Sequence, residues 1–126
     1  MSEERYQRGL DTLRRINPQA IERVHDMLKD VAPDMARFII EFPYGDIYSR
    51  AGLSLPTREL ITIASLTTLG HAGSQLKVHI THALKAGCSK EEVVETIMQM
   101  AVYAGFPAAL NGLLTAREAF KEMGLL

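Results

Sequence analysis

The chain has 126 residues, of which 14 are Lys or Arg and 15 Asp or Glu, with 47% apolar residues and no tryptophan. That length fits one domain spanning 1–126 with a modest core, so association with copies of itself is a natural way to cover apolar surface. The near-zero charge gives no electrostatic footprint for nucleic acid, and the single cysteine, Cys88, excludes an internal disulfide.

Helical periodicity and helix punctuation recur along the chain, and no stretch alternates at period two. Ser2 caps a first helix with the stripe Tyr6, Leu10, Leu13 and Ile16. The N-terminus has no apolar segment to read as a signal peptide, so a cytoplasmic protein is expected. Asn17-Pro18 restarts the chain, with Asn17 as N-cap and Pro18 at the first helical position. The stripe Ile21, Val24, Leu28, Val31 follows, and Pro33 ends it because the residue before a proline is pushed out of the helical region. A third segment carries Met35, Phe38, Ile39 and Phe42. Pro43 lacks a backbone donor, which predicts a break or kink before 44–48.

Ser54 opens a helix through Leu60, Ile61, Ala64 and Leu66 that stops at Gly70. Residues 74–86 form the next, stopped by Gly87. Ser89-Lys90-Glu91-Glu92 is a capping box, with Cys88 and Val93 at the two positions of a hydrophobic staple. That helix runs to about Gly105, and Phe106-Pro107 starts a last one that ends at Gly124. The most apolar stretch, Met98 to Leu114, is interrupted by Gln99, Gly105, Pro107 and Asn111, so it reads as a buried helix pair and not a membrane span. The expectation is an irregular all-α bundle of about six to seven helices with short connections.

Few residues offer chemistry. His25, among Glu22, Arg23 and Asp26, reads as part of a solvated face, and His71 as a loop residue. His79 shares a face with Leu76, Ala83 and the neighbouring Ile80, and so points inward; His82, one turn on, points sideways. Imidazole is the side chain suited to moving protons near neutrality. No two histidines lie four apart beside a carboxylate and there is no cysteine cluster, so no metal site is expected. Glu59 falls near a helix start, where the macrodipole favours a carboxylate, and Arg58 beside it reads as solvated or ion-paired. Cys88 precedes a helix, as a reactive thiol would, but the staple explains the same position.

The segments Tyr44-Gly45-Asp46-Ile47-Tyr48-Ser49-Arg50-Ala51-Gly52-Leu53, Thr57-Arg58-Glu59-Leu60-Ile61-Thr62-Ile63-Ala64, His79-Ile80-Thr81-His82-Ala83-Leu84-Lys85-Ala86-Gly87 and Gln99-Met100-Ala101-Val102-Tyr103-Ala104-Gly105-Phe106-Pro107-Ala108-Ala109 resemble, in that order, the carboxymuconolactone decarboxylase family. The resemblance covers nearly the whole chain. It implies an alkyl hydroperoxidase D (AhpD)-like all-α fold and a homo-oligomer, a trimer or hexamer. It also implies one of two chemistries: decarboxylation of 4-carboxymuconolactone, or a peroxidase that pairs a Cys-x-x-Cys motif with a glutamate and a histidine.

By position, Glu59 matches the relay glutamate and His79 the relay histidine. The cysteine positions fall on Ala72 and Gln75 counted back from His79, or on His71 and Ser74 counted forward from Glu59. Neither register holds a thiol, and a dithiol peroxidase cannot run without one. The decarboxylase branch tends to carry Trp where this chain has Tyr44 and Tyr48, and often lacks the acid at Glu59.

The resemblance therefore implies cofactor-free decarboxylation of a carboxylated unsaturated lactone or related small acid. His79 would be proton donor or oxyanion partner, and Glu59 would orient it. Arg58, Tyr48 and Tyr103 are substrate-contact candidates, and the helix start at Pro107-Ala108-Ala109 offers backbone donors to an anion. Two alternatives stand beside this reading. One is an AhpD-like antioxidant protein using an external thiol. The other is a non-catalytic helical assembly module whose Glu59 and His79 are only a buried polar contact.

Overall fold

The computed structural model describes residues 2–126. Among them are seven α-helices and one π-helical segment, with no strand. None of these helices is long and apolar enough to cross a membrane. The chain forms two compact units, one ending at Leu55 and one beginning at Pro56.

The first unit holds α1 (Glu3–Ile16), α2 (Gln19–Leu28), α3 (Pro33–Ile39) and the π-helical segment Ile40–Ile47. The Ser2 hydroxyl accepts from the Arg5 amide at 3.1 Å, as a capping serine should. Asn17 does not cap α2 as expected: its amide donates to the Leu13 carbonyl and closes α1, while its Oδ1 is buried without a hydrogen bond. The second stripe also ends early. The helix stops at Leu28 and leaves Val31 79% exposed, and Pro33 opens α3 where it was expected only to end α2.

Pro43 does not break the chain. The backbone widens into a π turn, in which the Tyr48 amide donates to the Pro43 carbonyl at 2.7 Å. Proline cannot donate in any helix, but its ring also collides with the i−4 carbonyl of an α-helix, and a wider turn relieves that collision without ending the helix. This segment lies along α1 because two glycines permit it. A Cβ at Gly9 would strike the Ile40 carbonyl, and one at Gly45 would lie 2.6 Å from the Arg5 carbonyl oxygen. Leu10, Leu13, Ile16, Ala20, Ile40 and Tyr44 fill the core. Arg5 grips Asp46 at 2.6 Å, and Arg8 donates to the Gly45 carbonyl, also at 2.6 Å.

The second unit holds α4 (Leu55–Leu69, entered from the last residue of the first unit), α5 (Gly73–Lys85), α6 (Lys90–Ala104) and α7 (Phe106–Glu122). The capping box forms in full: the Glu92 amide donates to Ser89 Oγ at 3.0 Å and the Ser89 amide to Glu92 Oε1 at 2.8 Å. Helices stop at glycines with left-handed φ, among them Gly87 at 112° and Gly105 at 93°, which a Cβ would disfavour. Ile63, Leu76, Ile80, Val93, Ile97 and Phe120 lead the core. Gly112 lets α7 close on its neighbours, since a Cβ there would lie 2.9 Å from Ile97 Cγ2.

The expectation that the Met98–Leu114 pair is buried needs correction. Met98, Val102, Phe106, Leu110 and Leu114 are all at least half exposed in the single chain. Met35, Phe38 and Phe42 of the first unit are exposed as well. Periodicity identifies an apolar stripe but not whether the same chain covers it.

Candidate functional site

The second unit buries a carboxylate. Glu59 sits on the same face of α4 as Ile63 and Thr67, four and eight residues on, and its exposure is 0%. It lies past the first turn of a helix that starts at Leu55, so helix-end electrostatics does not account for it. A buried charge needs partners, and α5 supplies them.

His79 Nδ1 is 2.8 Å from Glu59 Oε1, and the His79 side chain keeps 19% of its surface exposed. His82 is buried at 2%, with Nδ1 3.9 Å from Glu59 Oε2. The two imidazoles pack edge to face, ring centres 5.0 Å apart. The structure thus brings Glu59 and His79 together and adds His82, which the sequence pattern set aside as pointing sideways. The stripe of α5 alone centres on Leu76, Ile80 and Ala83. Its His82 flank is covered by a different helix, α4, and periodicity within one helix cannot reveal that. The available signal was the i, i+3 histidine pair, which shares one face of a helix.

With Glu59 accepting from Nδ1–H, His79 is held in one orientation and its Nε2 is the ring nitrogen left able to take up or give a proton. Glu59 Oε2 is buried and accepts no hydrogen bond. One carboxylate oxygen and the two imidazoles also gather three donor atoms within 4.8 Å of one another, the type of set that can hold a metal ion.

Arg58 is half-buried on α4, next to Glu59 in the chain. Tyr103 stands on the last turn of α6, 80% exposed. Tyr48 belongs to the first unit, its ring 5.1 Å from that of the buried Tyr44. Pro107 has no N–H and the Ala109 amide donates to the Gly105 carbonyl, so two of the three positions at the start of α7 have no donor for an anion. His25 is not simply solvated: its Nε2 is 3.0 Å from the Tyr6 hydroxyl. His71 is exposed between α4 and α5.

Cys88 packs in the core with Val93, as a staple does, and its Sγ donates to the Pro56 carbonyl at 3.4 Å. Burial, reinforced by Glu92 and Glu59, pushes its pKa up to about 11. A thiol held protonated is a poor nucleophile. The positions where the peroxidase pair would fall, Ala72 with Gln75 or His71 with Ser74, carry no sulfur.

Comparison with known proteins agrees with this frame. The sequence profile of the carboxymuconolactone decarboxylase family matches residues 33–118. A 4-carboxymuconolactone decarboxylase of Acinetobacter baylyi is 35% identical over 124 residues, 98% of this chain and 92% of that protein. An uncharacterized 15.0 kDa protein of Paracoccus denitrificans is also 35% identical, over 92% of this chain and 87% of its own length. A nitrosuccinic acid decarboxylase of Metarhizium robertsii is 26% identical over 81% of this chain and 73% of its own. The helical fold, the ordered motifs and these matches together establish that the chain belongs to the carboxymuconolactone decarboxylase family.

Proposed function

We propose that this chain decarboxylates 4-carboxymuconolactone or a related small acid without a cofactor, with His79 as proton carrier and Glu59 as the group that holds it. The coarser statement rests on the family and its named relatives: the chain is a decarboxylase-type enzyme. The observation that carries the finer reading is the 2.8 Å contact between His79 Nδ1 and a fully buried Glu59, with the imidazole still partly open to solvent.

The chemistry needs no external electron sink. In 4-carboxymuconolactone the departing carboxylate stands on the γ-carbon of an unsaturated lactone. The C–C bond electrons pass through the double bond to the lactone carbonyl as carbon dioxide leaves, and the resulting dienolate takes a proton on carbon. In nitrosuccinic acid a nitro group can accept the same electron pair. The two relatives' named substrates therefore share a carboxylate beside an acceptor that the molecule already carries. A protein acting on such a compound must stabilise the developing oxyanion, worth about 3–4 kcal/mol per preorganised donor. It must also supply a positioned acid, worth about 10²–10⁴-fold. His79 fits the second task. Arg58, with its fixed positive charge, suits a substrate carboxylate, and Tyr48 and Tyr103 remain substrate-contact candidates.

A homo-oligomer, trimer or hexamer, belongs to the same reading. The exposed apolar residues of α6 and α7 border a groove of about 540 Å³ lined by Met98, Phe106, Leu110 and Leu113, among others. A patch of this kind on a small domain calls for a partner surface. Light scattering should give a multiple of the 14.0 kDa chain mass at micromolar concentration; a stable monomer would refute this part. Loss of the ultraviolet absorbance of the conjugated lactone tests the activity. Turnover of 4-carboxymuconolactone supports the assignment, and saturable binding without turnover points to a related acid. The absence of both turnover and binding would sink it.

A further inference from the structure

The mechanism above uses one edge of Glu59 and leaves the other unexplained. Oε2 is buried, accepts no hydrogen bond, and faces His82 Nδ1 at 3.9 Å, beyond hydrogen-bonding reach. Leaving a buried carboxylate oxygen without a partner is costly, and such an atom is a place where a proton or a cation is to be sought.

We propose that Glu59, His79 and His82 form a binding site for one divalent transition-metal ion of the zinc, cobalt and nickel type. The donor set is two imidazoles and one carboxylate. That set suits borderline ions, whereas magnesium and calcium prefer an all-oxygen shell. One donor atom from each residue lies within 4.8 Å of the other two. Ligands about 2.0–2.2 Å from a zinc ion stand roughly 3–3.6 Å apart, so the three groups need to close by about 1 Å. The scaffold favours that closure. Both histidines leave the same side of α5 one turn apart, and Glu59 meets them from α4. Three protein ligands leave at least one coordination position open. The partly exposed His79 marks the side from which an ion enters, because Glu59 and His82 are sealed.

Metal and proton then compete. An ion held by His79 Nδ1 and Glu59 occupies the lone pairs that otherwise share the proton between them. Zinc should therefore inhibit the decarboxylation proposed above, reversibly on chelation. The metal site itself rests on geometry alone and stands or falls apart from that activity.

Cobalt(II) is the probe for the test. The wild-type chain should bind one Co²⁺ per subunit and show the visible d–d bands of a four- or five-coordinate nitrogen–oxygen site. His82→Gln and Glu59→Gln should weaken binding at least about tenfold, by the loss of a ligand, while His25→Gln leaves it unchanged. Circular dichroism establishes that each variant is folded. If the His82 variant does not fold, imidazole NMR of the wild-type chain replaces it: His79 and His82 resonances should respond together to the first equivalent of Zn²⁺, ahead of His25 and His71. Equal Co²⁺ spectra in wild type and the His82 variant would overturn the site. So would a wild type that binds none at millimolar Co²⁺, or four histidines that respond alike to zinc. A chain that binds cobalt but neither binds nor turns over the lactone would refute the lactone assignment and leave the metal site intact; the reverse result would do the opposite.

Discussion

Each of the two units buries one glutamate, and the partners differ in kind. In the first unit Glu41, 2% exposed, receives Arg37 Nε at 2.9 Å, and the same guanidinium lies 4.3 Å over the Tyr6 ring. Its hydrogen bond to Glu41 holds Arg37 above its usual pKa, so the guanidinium stays charged across the working pH range. In the second unit Glu59 meets two imidazoles, the side-chain type suited to carrying protons. A carboxylate facing a permanent cation is a structural tie. One facing titratable rings, with one oxygen still unsatisfied, can exchange a proton or bind an ion. Burial alone does not separate the two; the chemistry of the partner does.

Exchanging the two losses tests that contrast most severely. His79→Ala should lower kcat about 10²–10⁴-fold, the range of a positioned proton carrier. With Glu59→Gln added, the double variant should be little worse than His79→Ala alone, because the pair acts as a unit. Arg37→Ala should behave in the opposite way, lowering stability because it strips the buried Glu41 carboxylate of its cation, with kcat unchanged. Denaturant unfolding and lactone turnover on the same samples read both quantities. Additive kinetics at Glu59 and His79, or a kcat loss in Arg37→Ala at full folding, would erase the distinction.

Cys88 sharpens the comparison from within the second unit, where a third buried titratable group takes no part in the proposed chemistry. Cys88→Ala should cost about 1 kcal/mol and leave turnover intact. Its folded pKa of about 11 lies above the ordinary 9.0, so the unfolded chain releases the proton first. Stability should therefore fall as pH rises from about 9 towards 11, and Cys88→Ala should flatten that alkaline limb. Retained stability slope in the variant, or abolished activity with the fold unchanged, would return the thiol to consideration.

The smallest effect belongs to the rim of the first unit. Arg5, and then Arg8, hold Asp46 below its ordinary pKa. A carboxylate depressed in the folded state contributes stability above its unfolded pKa of 3.8 and loses it as pH falls further. Asp46→Asn should remove that small gain at pH 7, where it is present in full, and shallow the acid limb, the variant and wild-type curves converging as pH falls below 3.8.

Much of the architecture is legible in residues that act on their immediate neighbours. Ser2 and the Ser89–Glu92 box cap helices because a side-chain oxygen three residues away is a local matter. Gly70, Gly87, Gly105 and Gly124 end them because left-handed φ is a property of a single residue. Ordered motifs around Glu59 and His79 point to the family and to the pair that meets. Other features depend on what lies across a gap that the chain does not span locally. Pro43 forbids an α-helical turn in any context, yet the choice between a break and a π turn is made where the segment lies against Gly9 and α1. The stripe of α5 marks His79 as inward, but it takes Glu59 of α4 to set a carboxylate beside the buried His82. Capping, turn conformation and periodicity are decided over a few residues and so are written in the sequence. Burial of a flank and the assembly of a three-residue cluster need surfaces from separate helices, and only tertiary packing supplies them.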